Sequence, residues 1–134
     1  MSLESVLSLA YSQLGITENP VNSNNVIYNT DYYGHEVSGS DYPWCAVFLW
    51  DIFRLAGESE AFYGGNKTAS CTELKNYYSG FNRWFTSGTP QKGDILILTF
   101  ATDRRIQHCG LVYSVSGSSI YTIEGNTSPG LEGS

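Results

Sequence analysis

The sequence predicts an α+β fold in which N-terminal helices pack on an antiparallel β-sheet. Apolar residues recur at helical spacing in the first half of the chain, short β-branched and aromatic runs fill the stretch after Pro90, and brief polar breaks separate those runs. With 134 residues, 41% of them hydrophobic, the chain can form one domain that buries roughly two thirds of the surface its unfolded form exposes. That domain is expected over residues 1–128. Residues 129–134 carry little that can pack and read as a linker start or a cloning remnant.

Each element follows from local pattern. Leu3, Val6, Leu7, Ala10, Tyr11 and Leu14 are spaced for an amphipathic helix over residues 2–14 that ends at Gly15. Residues 17–41, rich in Asn, Gly, Ser and Tyr, show no sustained period and read as a long surface segment, suited to a binding wall or lid. A second helix is expected from Pro43 to about Leu55, with Pro43 at its first position and Ser40 or Asp41 as cap. Its apolar residues cover more than one face, so it should be central. A shorter helix over residues 69–78 would be capped by Thr68. Strands are expected over 93–100, 111–115 and 120–123, the last two joined by a tight turn at Gly117. No internal repeat is present.

Composition narrows the function. Seven basic against thirteen acidic side chains give a net charge of -6, which argues against nucleic acid, since phosphate binding needs concentrated positive charge. No apolar run approaches the roughly 18 residues of a membrane span, so no membrane partner is expected. No basic residue precedes the first apolar ones, so a signal peptide is not visible; an export signal already trimmed is compatible with that. Cys45, Cys71 and Cys109 are odd in number and form no C-x-x-C unit, so a zinc site built from them with His108 has no support from spacing, and neither a metal nor a cofactor is expected.

The candidate chemistry begins at Cys45, in the first turn of the central helix, where unpaired amides and the helix dipole favour a thiolate. The Cys45 backbone N–H would also meet the oxygen of a tetrahedral intermediate. Cys71 has a similar early-helix place but no context to single it out, and cysteine is often a small buried hydrophobe. His108 directly precedes the strand that starts at Cys109. Alternation places Cys109 toward the core and leaves His108 free to look toward the helix start, with Gly110 giving room beside it. If the last two strands pair, Glu124 or Asn126 lies across from His108, where a carboxylate or an amide would orient the imidazole. A thiol at a helix start with a histidine and an acidic or amide group on adjacent strands has the geometry of a papain-like cysteine hydrolase.

The motifs also carry a family likeness. Tyr42-Pro43-Trp44-Cys45-Ala46-Val47-Phe48, Pro90-Gln91-Lys92-Gly93-Asp94-Ile95, His108-Cys109-Gly110-Leu111-Val112 and Ile123-Glu124-Gly125-Asn126-Thr127 stand in order over most of the chain after residue 40. In these the chain resembles a CHAP domain, the cysteine/histidine-dependent amidohydrolase/peptidase family common in bacteriophage endolysins and bacterial cell-wall hydrolases. The resemblance implies Cys45 as nucleophile, His108 as base and then acid, Glu124 as the group orienting His108, and Asn126 as a further polar group. It implies hydrolysis of a peptidoglycan amide, either the N-acetylmuramoyl-L-alanine bond or one in the stem or bridge peptide, at the bacterial cell wall after phage lysis or export.

Two departures matter. Many members have Gln before the nucleophile, where this chain has Trp44, and the Asp31 and Asp41 pair is a poor match to the calcium loop of some members. Tyr33 and Trp44 are the expected substrate contacts, Trp44 by stacking at the groove. Gram-positive walls are anionic, so a chain of charge -6 is expected to rely on a separate wall-binding module. Competing readings are a cysteine transpeptidase of the same class and a non-catalytic wall-binding module with Cys45 buried.

Overall fold

The computed structural model describes residues 3–20, 22–100 and 103–125. Four helices, α1 (Leu3–Ser12), α2 (Ile27–Tyr33), α3 (Cys45–Leu55) and α4 (Cys71–Gly80), precede three strands, β1 (Ile95–Phe100), β2 (Asp103–Ser116) and β3 (Ser119–Ile123). The strands form an antiparallel sheet in the order β1-β2-β3, so the α+β class with its consecutive strands is as the sequence predicts.

α3 is the central helix. Cys45, Ala46, Val47, Phe48, Leu49, Ile52 and Phe53 are all buried, and they share one core with Val6, Leu7 and Ala10 of α1 and with Cys109, Leu111 and Ile123 of the sheet. Only the inner stripe of α1 is buried; Tyr11, exposed on its flank, stacks on Tyr113 with ring centroids 5.2 Å apart. α3 starts two residues later than expected, at Cys45, with Trp44 at the cap position and no side chain capping it. Pro43 therefore lies outside the helix, and neither Ser40 nor Asp41 is its cap.

The segment over 17–41, expected to lack regular structure, contains α2. Seven residues are too few to show a period, and the burial runs against hydropathy: Asn29 is fully buried while Ile27 is 51% exposed. Asn29 is held by its Nδ2, which donates to the carbonyls of Asn24 (2.9 Å) and Tyr42 (3.0 Å), tying α2 to the approach to α3. Tyr28 packs edge-on against Phe48 and stacks on Trp44.

α4 is capped by Ser70, whose Oγ accepts from the Glu73 N–H, rather than by Thr68. Ser70 and Glu73 have the capping-box spacing. Thr68 is buried beside them, accepting from the Ser70 N–H and donating to Glu73 Oε1.

β2 begins earlier than the sequence suggests, so His108 sits inside the strand, opposite Leu98, instead of ahead of it. β2 and β3 meet through Gly117, at φ 59°, with Ser116 paired to Ser119. A register shift between Val112 and Ser114 then pairs Leu111 with Ile123, which brings Glu124 alongside Gly110.

Candidate active site

Cys45 is the first residue of α3 and 5% exposed. The amides of that first turn have no side-chain cap, and their dipoles favour negative charge at this end of the helix. Around it stand two more thiols. Cys45 Sγ is 3.6 Å from Cys71 Sγ, and the sulfurs of Cys45, Cys71 and Cys109 all lie within 4.8 Å of one another. All three are free and buried.

Hydrogen bonding within the cluster favours the thiolate form of Cys45. Hydrogen bonding from Cys109 and then from Cys71 holds the Cys45 thiol far below its ordinary range against the opposing effect of burial, and His108 adds to the lowering. The other two thiols move the opposite way. Cys71 is pushed up to about 12, the effect of Cys45 and of burial outweighing its bond with Cys109. Cys109 rises strongly because of Cys45 first and Cys71 next. A single thiolate flanked by two thiol donors is the arrangement these directions describe.

His108 is 9% exposed and its Nε2 lies 2.8 Å from Glu124 Oε1. That contact leaves Nδ1 as the ring nitrogen available to the sulfur. Burial disfavours the imidazolium, but hydrogen bonding to Cys45 and to Glu124 outweighs it and raises His108 to about 9. Glu124 lies below the usual carboxylate range, chiefly through His108, with burial opposing and the Thr122 hydroxyl helping. Thr122 Oγ1 donates to Glu124 Oε2 at 2.6 Å, so both carboxylate oxygens are engaged. A thiolate, an imidazolium and an oriented carboxylate are the parts that nucleophilic acyl transfer uses.

Two glycines make the site compact. A β-carbon at Gly125 would fall 2.7 Å from Phe48 Cβ and 2.8 Å from the Trp44 ring, so the chain leaving β3 runs close over the start of α3. Gly110 clears the space that Glu124 fills.

Cys45, His108 and Glu124 are thus brought together as the sequence suggested. Trp44 is not a groove residue. It is 1% exposed, stacks on Tyr28, and donates from Nε1 to Glu18 Oε2 at 2.9 Å, so its ring is closed to a substrate and its indole N–H is already engaged. Tyr33 is half-buried at the end of α2, its ring edge-on to those of Tyr32 and Tyr42. Asn126 lies outside the described residues, as do residues 129–134. Cys71 joins Cys45 at the site, where the sequence offers only a helix-start position like that of Cys45 to mark it.

A family model described as the CHAP domain matches residues 37–126, which takes in Cys45, His108 and Glu124. The chain belongs to the CHAP domain family. No curated protein and no solved structure matches it. Membership of the CHAP family makes this chain a cysteine-dependent hydrolase of the amidase or peptidase kind with peptidoglycan as its substrate, and it accounts for the papain-like arrangement of helix and sheet. Among the described residues, no helix of this CHAP domain is long and apolar enough to cross a membrane.

Proposed function

We propose that this CHAP domain hydrolyses an amide of peptidoglycan, at the N-acetylmuramoyl-L-alanine bond or within the stem or bridge peptide, through Cys45, His108 and Glu124. The observation that carries the reading is the 2.8 Å contact of His108 Nε2 with Glu124 beside Cys45 at the start of α3. The Cys45 sulfur attacks the carbonyl carbon, and the oxygen that becomes negative meets the Cys45 N–H at the uncapped start of α3. His108 gives its proton to the departing amine, leaving a thioester. His108 then takes a proton from water as the water attacks, and the acid product leaves with the thiolate restored.

Glu124 keeps the imidazole in the right tautomer and offsets its charge. Asn126 follows two residues later as a further polar group, and Tyr33 offers a ring to the glycopeptide. The domain occupies residues 1–128 and, in a chain of net charge -6, relies on a separate module for wall affinity in an endolysin or an exported wall hydrolase.

The test is digestion of purified walls with mass analysis of the products. The parent releases new amino groups whose masses name the bond cut, and Cys45→Ala releases none. Walls lysed as fast by Cys45→Ala as by the parent would overturn the mechanism. Wall binding with no release of amines would instead leave a non-catalytic wall-binding module.

A further inference from the structure

We propose that Cys45, Cys71 and Cys109 form a three-sulfur site for a soft divalent metal ion of the zinc class, and that occupancy withdraws Cys45 from attack on substrate. The second half rests on Cys45 being the nucleophile; the first half does not.

The argument is geometric. Thiolates about 2.3 Å from a tetrahedral zinc ion lie about 3.8 Å from one another. Here the Cys45 and Cys71 sulfurs are 3.6 Å apart and all three fall within 4.8 Å, close to one face of that tetrahedron. An all-sulfur set selects zinc-class ions over calcium or magnesium, which take oxygen. Cys45 and Cys71 each open a helix, so the amino ends of α3 and α4 both face the cluster and favour the negative charge that three thiolates bring. Cys109 enters from β2 and is fully buried, giving the site a rigid floor.

Acyl transfer uses one sulfur; the cluster holds three. The fourth position falls to water or to His108, whose Nε2 is already tied to Glu124 in the way that carboxylates commonly hold the outer nitrogen of a metal-bound histidine. Binding releases the thiol protons to solvent. Cys45 and Cys71 are 5% and 7% exposed, so the cluster is reached from their side.

The experiment uses the whole chain, kept reduced by a non-thiol reductant, titrated with zinc by calorimetry and with cobalt(II) as a spectroscopic probe. One ion binds per chain, cobalt shows a thiolate charge-transfer band that zinc abolishes, and Cys71→Ser weakens binding by about tenfold or more. Wall hydrolysis by the parent stops with zinc and returns with a chelator. Cys71→Ser, scaled to its own metal-free rate, needs about tenfold more zinc for the same loss.

Absence of the charge-transfer band, or zinc binding unaltered in Cys71→Ser, as coordination at exposed His35 would give, overturns the site. Hydrolysis that continues with zinc bound at the sulfurs overturns the inhibitory half. A protein that binds zinc at the sulfurs but never hydrolyses walls keeps the metal site and loses the hydrolase reading. Cys109→Ser is a supporting variant, and should it fail to fold, Cys71→Ser at the edge of the cluster carries the test.

Discussion

Glu124 reaches His108 through the space that Gly110 leaves open. A β-carbon at position 110 would stand 2.5 Å from Glu124 Cγ and 3.1 Å from Cδ, while Glu124 Oε1 is 2.8 Å from His108 Nε2. The absence of a side chain on one strand thus sets the position of the carboxylate on the next. Gly110→Ala pushes that carboxylate aside without altering Cys45 or His108. Hydrolysis is expected to fall about a hundredfold, the scale of loss that follows a misplacement of about 1 Å. Turnover of purified walls checks this, and an unchanged rate would remove Glu124 from the orienting role.

The pH profile tests the same contact by charge. His108 keeps its proton up to about pH 9, and Cys45 ionises well below its ordinary range, so the ion pair spans neutral pH. The rate is expected to fall as pH rises through about 9, where the imidazolium that protonates the leaving amine is lost. Glu124→Gln removes one of the causes that raise His108, and the alkaline limb of kcat/KM moves to lower pH. Superimposable alkaline limbs for parent and variant would refute the coupling.

Trp44 separates a core role from a substrate role. As a buried ring between Tyr28 and Phe48, its replacement by Ala is expected to cost about 3–5 kcal/mol of stability. Trp44→Phe keeps most of the packing but drops the Nε1 bond to Glu18, a loss of about 1.5–3 kcal/mol for a bond to a charged acceptor. Urea unfolding beside KM on soluble wall fragments decides the matter. A raised KM with stability intact would return Trp44 to the groove.

What the sequence made legible was set by period and local chemistry. α3 and the three strands were readable because Ala46, Val47, Leu49, Trp50 and Phe53 make a helix apolar on more than one face, while Ile95 to Leu98, 111–115 and 120–123 are short β-branched and aromatic runs between polar breaks. Cys45, His108 and Glu124 were readable because each stands at or near an element whose direction the pattern implied. α2 was hidden because one of its two buried residues is Asn29, whose Nδ2 is held by two carbonyls that only the folded chain supplies. Trp44 looked like a surface ring because its partner, Glu18, is 26 residues away. The thiol cluster was invisible for the same reason, since its members come from two helices and a strand. The bulge between Val112 and Ser114 leaves no compositional mark, yet it decides which residue of β2 faces Glu124.

Asp51 gives the stability of the fold a pH dependence that is separate from the site. It lies fully buried on α3, its Oδ1 accepting from Arg54 Nε at 2.9 Å and Nη2 at 2.6 Å. Burial first and hydrogen bonding to Asp31 second push its carboxyl up to about 7, against the lowering effect of Arg54. The folded chain therefore holds this proton more tightly than the unfolded chain, whose carboxyl has the ordinary value near 3.8. Between those two values the native state binds more protons, so stability from this group is complete below about pH 4 and is lost as pH rises to about 7. Asp51→Asn cannot titrate, and it is expected to gain on the parent over that window whatever its offset at acid pH. Unfolding free energies of both proteins at about pH 4.5 and 7.5 check the prediction. A constant difference between them would show that Arg54 keeps Asp51 ionised throughout.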